Sequence, residues 1–286
     1  MTTIALLGTG LLGHAIGQRL LEQGQTLKVW NRTPARISAL IRAGATPIER
    51  LSEISKGCDA VITVLKDGPV TSDVVQTLGD LKGRCLIPMG TMGITESRTL
   101  ATLMKSRGGT YLEAPVLGSR PEALSGSLLV MAGGEPEVFS RHQDLLGLLS
   151  AQPMLVGPVG SGAATKLALN QLIASMTHAF SISLRLVQQA EVPVETFMNI
   201  LRPSALYAPT YDKKLKRMME RHYGDPNFST ALLRKDLALF LQEAIHAGLN
   251  PEGLRGLSTL LAQDKARDLD DLDYCSLHEL TAQDES

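Results

Sequence analysis

The 286-residue sequence has little of what marks a specialised chain. It carries no surplus of either charge. There are 28 Lys and Arg against 29 Asp and Glu, a formal net charge of -1, so no basic face for nucleic acid or an anionic membrane is visible. Only three cysteines occur, Cys58, Cys85 and Cys275, without C-x-x-C spacing. That excludes a disulfide framework and a zinc site, and reads them as small buried hydrophobes in a reducing compartment. No apolar run is long enough to span a bilayer, and the first strand reads from Ile4 with no charged leader before it, so a cytoplasmic protein is expected. His14, His142, His178, His222, His246 and His278 show no ligand spacing. The acidic stretch DLDDLDYCSLHEL (268–280) reads as a solvated tail with a short amphipathic piece, and no metal is expected.

What is present begins with TIALLGTGLLGHAIGQRLLEQGQTLKVWNR (3–32), which reads as strand, glycine turn, helix and second strand. Ile4 to Leu7 is the apolar run of a strand buried on both faces, and Gly8, Gly10 and Gly13 follow as G-x-G-x-x-G. In that fingerprint the first glycine makes the turn, the second lets backbone approach a pyrophosphate, and the third packs helix on sheet. A helix N-terminus then faces the phosphates, where free N–H groups and the dipole favour negative charge. Leu11 and Leu12 complete this expected phosphate-binding turn. About twenty residues on, where NAD-binding chains place a carboxylate for the ribose hydroxyls, stand Asn31, Arg32 and Thr33. They offer donors and one fixed positive charge to a 2′-phosphate, so NADP(H) is the expected cofactor. Thr33-Pro34 also has the form of a helix cap.

Downstream, strand and helix alternate. A helix reaches Arg42, DAVITVL (59–65) makes a third buried strand ending at Leu65, a helix covers Val70 to Leu78, and Cys85 to Met89 makes a fourth strand. Open parallel sheets bind ligands at the carboxyl ends of their strands, which puts Leu65 and Thr91 at the cofactor; the Thr91 hydroxyl equally suits stabilising its own turn. Helix 95–106, strand 110–112, the loop EAPVLGS (113–119), strands 127–132 and 154–156, and a helix 135–149 complete an α/β domain. After Gly160 only helices are read. Residues 161 to about 191 contain no proline and no glycine after Gly162, which fits one helix of ~45 Å at ~1.5 Å per residue. Its apolar residues, among them Leu167, Leu172, Ile173, Met176, Phe180, Ile182 and Leu186, lie on more than one face. The expected architecture is a doubly wound, mostly parallel Rossmann sheet over 1–160, joined by this helix to an all-helical domain over 161–286. Apolar residues on several faces imply a homodimer or higher oligomer.

Within GPVGSGAATKLALNQ (157–171), Lys166 and Asn170 are four apart and project from one helix face among small and apolar neighbours. Those neighbours predict a buried lysine, whose pKa desolvation would lower until it both donates and accepts protons near neutrality. A helical lysine kept for solubility is the plainer alternative.

Four ordered motifs, GTGLLG (8–13) with WNRT (30–33), EAPVLGS (113–119), GSGAATKLALN (160–170) and RKDLAL (234–239), resemble the β-hydroxyacid dehydrogenases over nearly the full length. This family includes 3-hydroxyisobutyrate dehydrogenase, tartronate semialdehyde reductase and the glyoxylate/succinic semialdehyde reductases. The resemblance implies a catalytic lysine at Lys166, a substrate contact at Asn170, and Lys235 and Asp236 near cofactor and substrate. It implies a substrate loop at Val116, Leu117, Gly118 and Ser119, and NADPH as the cofactor of chains with NRT after the second strand. Leu117 stands where the family's APVSG loop has a serine, and leucine donates no hydrogen bond. Ser119 is then the nearest hydroxyl, unless a substrate with a larger apolar group relies on Gly118 backbone. Where the family often has two asparagines, the chain has Leu169 and Asn170. The expected activity is NADP(H)-dependent reduction of a small aldehyde or ketone acid to the hydroxy acid, with Lys166 as general acid. Imine reduction and a cofactor-binding structural protein without turnover are the alternatives.

Overall fold

A computed structural model describes residues 3–54 and 57–282. The chain divides into two compact units, Met1–Leu167 and Ala168–Ser286, and the division falls inside its longest helix.

In the first unit, apolar runs become strands and the segments between them become covering helices. The strands are β1 (Thr3–Leu7), β2 (Thr26–Trp30), β3 (Thr46–Pro47), β4 (Ala60–Thr63), β5 (Cys85–Pro88), β6 (Thr110–Glu113), β7 (Val116–Leu117), β8 (Leu129–Gly134) and β9 (Met154–Gly157). The helices are α1 (Leu11–Glu22), α2 (Ser38–Arg42), α3 (Gly68–Thr77), α4 (Ile94–Ser106), α5 (Arg120–Ser125), α6 (Pro136–Gly147) and the start of α7 (Ser161–Gln189). The order β3-β2-β1-β4-β5-β6 is parallel throughout. β8 then runs antiparallel to β6, with β7 antiparallel and β9 parallel beside it.

Alternation along β1 explains the two-sided covering. Ile4 and Leu6 join Ile16 and Leu20 of α1 in one core, whereas Ala5 and Leu7 join Val75 of α3 and Leu100 and Met104 of α4 in the other. Each leucine or isoleucine buried in this way contributes about 1.5 to 3 kcal/mol. The strand order reverses between β1 and β4, and in doubly wound sheets the ligand crevice opens there, at the carboxyl ends.

The second unit holds the rest of α7 with α8 (Val194–Leu201), α9 (Pro209–Met219), α10 (Thr230–His246) and α11 (Glu252–Ala262), and ends in a 3-10 helix, Tyr274–Thr281. Phe180, Leu184, Met198, Leu233, Leu237, Leu261 and Leu277 form its core. Among the described residues its one β-type pairing is an isolated bridge, Ser229 to Asp273.

The structure departs from the sequence expectations at several points. The segment 113–119, read as loop, ends one strand at Glu113 and contributes another at Val116–Leu117, because backbone pairing with β8 holds it extended. The short β3 and α5 were not anticipated. The acidic tail is solvated only in its first part: Asp268 and Asp271 are exposed, whereas Tyr274, Cys275, Leu277, His278 and Leu280 are buried, and Asp273 is buried against Lys214 at 2.8 Å. Asp270, Asp273 and Glu279 find cations from distant segments, Arg234, Lys214 and Arg221, which local composition does not reveal.

Candidate active site

The three fingerprint glycines are required for different reasons. Gly8 has φ 96°, and a Cβ there would stand 2.3 Å from the Val64 carbonyl oxygen, so the turn seats against the chain leaving β4. At Gly13 a Cβ would lie 2.1 Å from the Gly8 carbonyl oxygen, which makes the helix pack directly on the turn. Gly10 has an ordinary φ of -66°, and a Cβ built on it meets no described atom within 4 Å. Nothing in the fold calls for glycine at that position. The space it leaves lies at the N-terminus of α1, which has no side-chain cap, and it suits the pyrophosphate of a dinucleotide.

Asn31 ties the end of β2 to this turn. Its Oδ1 accepts from the Thr9 N–H at 3.1 Å and its Nδ2 donates to the Thr33 carbonyl at 3.1 Å. Its amide therefore fixes the loop, and Arg32 and Thr33 are exposed beside it. Thr33 sits at the N-cap position with Pro34 following, but its hydroxyl makes no capping bond. The exposed Leu11 and half-buried Leu12 open α1, and Leu65 and Thr91 are half-buried at the same carboxyl edge of the sheet. A Cβ at Gly90 would come within 2.5 Å of the Leu65 carbonyl oxygen, so the loops after β4 and β5 are in contact.

In the loop after β6, Val116 is buried opposite Val130, and the half-buried Leu117 pairs with the exposed Leu129. Gly118 turns with φ 128°. The N–H and hydroxyl of Ser119 both donate to Glu122 Oε2, at 2.8 and 2.7 Å, in the capping box of α5. The Ser119 hydroxyl is thus committed to its own helix.

Glu113, which ends β6 and which the sequence reading left in a loop, is buried at the start of α7. It is 2% exposed; its Oε1 accepts from the backbone N–H groups of Gly160 at 2.7 Å, Gly162 at 2.7 Å and Ala163 at 3.4 Å. Ser97 Oγ donates to Oε2 and lies 2.7 Å from the Tyr111 hydroxyl. Burial raises the carboxyl above the ordinary carboxylate range, and the bonds from Ser97 and the three N–H groups oppose that rise. The only signal was that G-S-G opens α7 without an acceptor side chain at Gly160, which leaves its first N–H groups open to an acceptor from elsewhere.

Lys166 lies one turn beyond Gly162 on α7. It is half-buried rather than buried as its neighbours predicted, because Ala163 and Leu167 face the interior while Ala168 is exposed. In the second unit Asn170 is 2% exposed, and its Nδ2 donates to Asp236 Oδ2 at 2.5 Å. Asp236 is 1% exposed, and its Oδ1 pairs with Lys235 Nζ at 2.8 Å, a contact by charge whose angle is not that of a directed hydrogen bond. Because the Asn170 amide nitrogen must face the carboxylate, its Oδ1 points away, and it is buried with no hydrogen-bond partner among the described residues. Among the described residues no three His, Cys, Asp or Glu side chains group to hold a metal, and no helix is long and apolar enough to cross a membrane.

Comparison with known proteins places both units in one family. Residues 3–157 match the NAD binding domain of 6-phosphogluconate dehydrogenase, and residues 160–281 match the NAD-binding family of NADP-dependent 3-hydroxyisobutyrate dehydrogenase. Glyoxylate/succinic semialdehyde reductase 1 of Arabidopsis thaliana is 28% identical over 281 residues, covering 96% of this chain and 97% of the relative. Cytokine-like nuclear factor N-PAC of Xenopus tropicalis is 29% identical over 82% of this chain, which spans 45% of that longer protein. The solved structure of Mycobacterium tuberculosis 3-hydroxyisobutyrate dehydrogenase with L-serine has the same fold, with a TM-score of 0.90, 23% identity and coverage of 99% of this chain and 100% of that one. With a dinucleotide turn built as the glycines require and both family domains matched in order, the chain belongs to the β-hydroxyacid dehydrogenase family, nicotinamide-dependent oxidoreductases acting on CH–OH groups.

Proposed function

We propose that the protein is an NADP(H)-dependent reductase of a small aldehyde or ketone acid, with Lys166 as the general acid. The observation that carries the reading is the seating of the helix bearing Lys166. Its first turn is held by Glu113, directly before the loop 114–119 and at the carboxyl edge that also carries the glycine turn. Gly8, Gly10, Leu11, Leu12 and Gly13 would hold a nicotinamide dinucleotide, which when bound would supply the hydride for the carbonyl carbon. As the carbonyl π pair moves to oxygen, Lys166 Nζ gives that oxygen a proton; in the reverse oxidation the neutral amine takes it back. Arg32 and Thr33 bind the 2′-phosphate, while Asn31 holds their loop. Leu65 and Thr91, at the same edge of the sheet, would contact the nicotinamide end of the dinucleotide.

The acid group of the substrate rests on backbone N–H groups around Val116, Leu117 and Gly118. With the Ser119 hydroxyl committed to Glu122, the apolar Leu117 beside Leu129 favours a substrate with a hydrocarbon substituent next to its polar end. Asn170 Oδ1, buried without a partner, accepts from a substrate hydroxyl, and Asp236 with Lys235 orients the asparagine. A positioned acid is worth about 10²- to 10⁴-fold, and alignment of the reactants contributes the larger share.

The test is single-turnover NADPH oxidation with glyoxylate, succinic semialdehyde, methylmalonate semialdehyde and cyclic imines, for the parent protein, Lys166→Ala and Lys166→Arg. Lys166→Ala should bind NADPH normally and turn over about 10²-fold more slowly or worse. Lys166→Arg should keep the stability and not the rate, because guanidinium does not readily give up a proton. Near-normal turnover in folded Lys166→Ala removes the lysine from the mechanism. Tight NADPH binding with no turnover on any carbonyl or imine supports the non-catalytic reading.

A further inference from the structure

We propose that Glu113 is the positioning residue for Lys166. Its buried carboxylate sets the first turn of α7, and the lysine one turn on, against the substrate loop that follows Glu113 in the chain. The inference rests on the reading of Lys166 as the proton donor.

The carboxylate sits in a slot made for it. Glu113 stands opposite Gly133 in the β6–β8 register, where a Cβ would come within 2.2 Å of Oε1; a Cβ at Gly162 would come within 3.1 Å of the same oxygen. Two glycines on different elements thus leave the space the oxygen fills. At Gly162 a Cβ would also stand 2.5 Å from the Met131 carbonyl oxygen, so the opening turn of α7 is pressed onto β8 while it is held from β6. The carboxylate's acceptor capacity is used on both sides, by three N–H groups of α7 and by the Ser97 hydroxyl of α4.

A helix needing only stability is capped from its own N-terminus by Ser, Thr, Asp or Asn, with no charge taken out of water. Here the cap comes from 49 residues away. A cap drawn from so far adds what a local one lacks, a fixed place for the helix on the sheet. Ala114 follows Glu113 directly, and its N–H bonds the Pro88 carbonyl at 2.8 Å, so the substrate loop leaves from the same anchored point. Glu113 therefore joins the two: its backbone leads into the loop, and its side chain holds the start of the helix that carries the lysine. Misplacement of a reacting group by about 1 Å costs up to ~10²-fold in rate, which makes this anchor a kinetic one.

The experiment is a double-mutant cycle on Glu113→Gln and Lys166→Ala. Glutamine keeps the shape and one acceptor, but it loses the charge that strengthens the bonds to α7. Alone it should lower kcat about 10- to 100-fold while the Kd for NADPH and KM stay within about threefold. In the Lys166→Ala background it should lower kcat no further, because the group it positions is gone. In the ligand-free protein, labelling lysines as ¹³C-dimethyl amines gives a resonance that Lys166→Ala removes, and Glu113→Gln should shift it. Non-additive losses with a shifted resonance support the proposal. Losses that multiply in the double variant, or a resonance that does not move, overturn it and leave Lys166 as the acid. An unslowed Lys166→Ala overturns both this proposal and the reading of Lys166. Should Glu113→Gln not fold, Ser97→Ala, which removes the donor to Oε2 together with the Ser97–Tyr111 hydroxyl bond, carries the same cycle with the same outcomes, and Tyr111→Phe is the control for the second loss.

Discussion

Replacing Gly10 by alanine separates the demands of the fold from those of the cofactor. The added methyl meets no described atom within 4 Å, and φ is -66°, which any residue adopts. In the ligand-free protein two small effects oppose each other. Alanine restricts the unfolded chain, which stabilises by about 0.4 to 1 kcal/mol, but it is a poorer N-cap than glycine by a similar amount. Urea unfolding should therefore stay within about 1 kcal/mol of the parent. Binding should not. A methyl in the space left for a pyrophosphate forces the phosphate off at least one backbone N–H, a charge-assisted bond worth about 1.5 to 3 kcal/mol, or roughly 10- to 150-fold in Kd. Gly13→Ala is the control, since its methyl would sit 2.1 Å from a backbone oxygen that cannot swing aside. It should lose about 1 to 3 kcal/mol of stability or more before any ligand is added. If NADPH titrates Gly10→Ala as tightly as the parent by fluorescence, the gap is not a phosphate cradle. Unfolding several kcal/mol easier without ligand would show that glycine serves the fold there after all.

Three further expectations follow from particular side chains. Arg32→Ala should narrow the preference for NADPH over NADH through the loss of one charge-assisted contact, about 1.5 to 3 kcal/mol, and equal affinities in the parent protein would reject the 2′-phosphate assignment. On α7, Leu172, Ile182 and Leu186 are 48%, 45% and 68% exposed on a single chain, so light scattering should give at least a dimer, and a monomer at all concentrations would contradict that. Burial, with Arg185 adding to it, lowers the His278 pKa to about 4, against about 6.5 in the unfolded chain. Stability from this residue is complete above the unfolded value; it is lost as pH falls from about 6.5 toward 4, by up to roughly 3 kcal/mol, because only the unfolded state takes the proton. Glu279 raises the same pKa and Arg221 lowers it, both to a lesser degree than burial. His278→Leu should flatten this part of the dependence between pH 7 and pH 5 in urea titrations; an unchanged slope would refute the buried neutral imidazole.

Much of the first unit was legible because its signals are local. A strand buried on both faces needs a short apolar run, and a tight turn needs glycine; Ile4 to Gly13 states both within ten residues. The long α7 was legible for a similar reason, since no proline or glycine interrupts it after Gly162. Pairing was harder to see: Val116 and Leu117 are strand only because β8 lies beside them, and nothing in P-V-L-G announces that. Buried charge was hardest. Glu113, Asp236 and Asp273 are the buried carboxylates among the described residues, and each has at least one partner from a distant segment. Asp273 pairs with Lys214, Asp236 takes Asn170 as well as its neighbour Lys235, and Glu113 takes Ser97 and the start of α7. A carboxylate read alone defaults to solvent, so the tail was assigned to solvent and Glu113 to a loop. Burying such a charge is costly unless it is bonded, and removing one partner of a buried pair costs more than the pair contributes to stability. These three positions are therefore where the fold commits most strongly to a particular arrangement. Two of them, Glu113 and Asp236, stand beside residues to which the proposed function gives a part, and the third holds down the C-terminal 3-10 helix. Catalytic positioning and tail docking thus draw on the same device, a desolvated carboxylate with partners from distant segments, and it is the partners that tell the two uses apart.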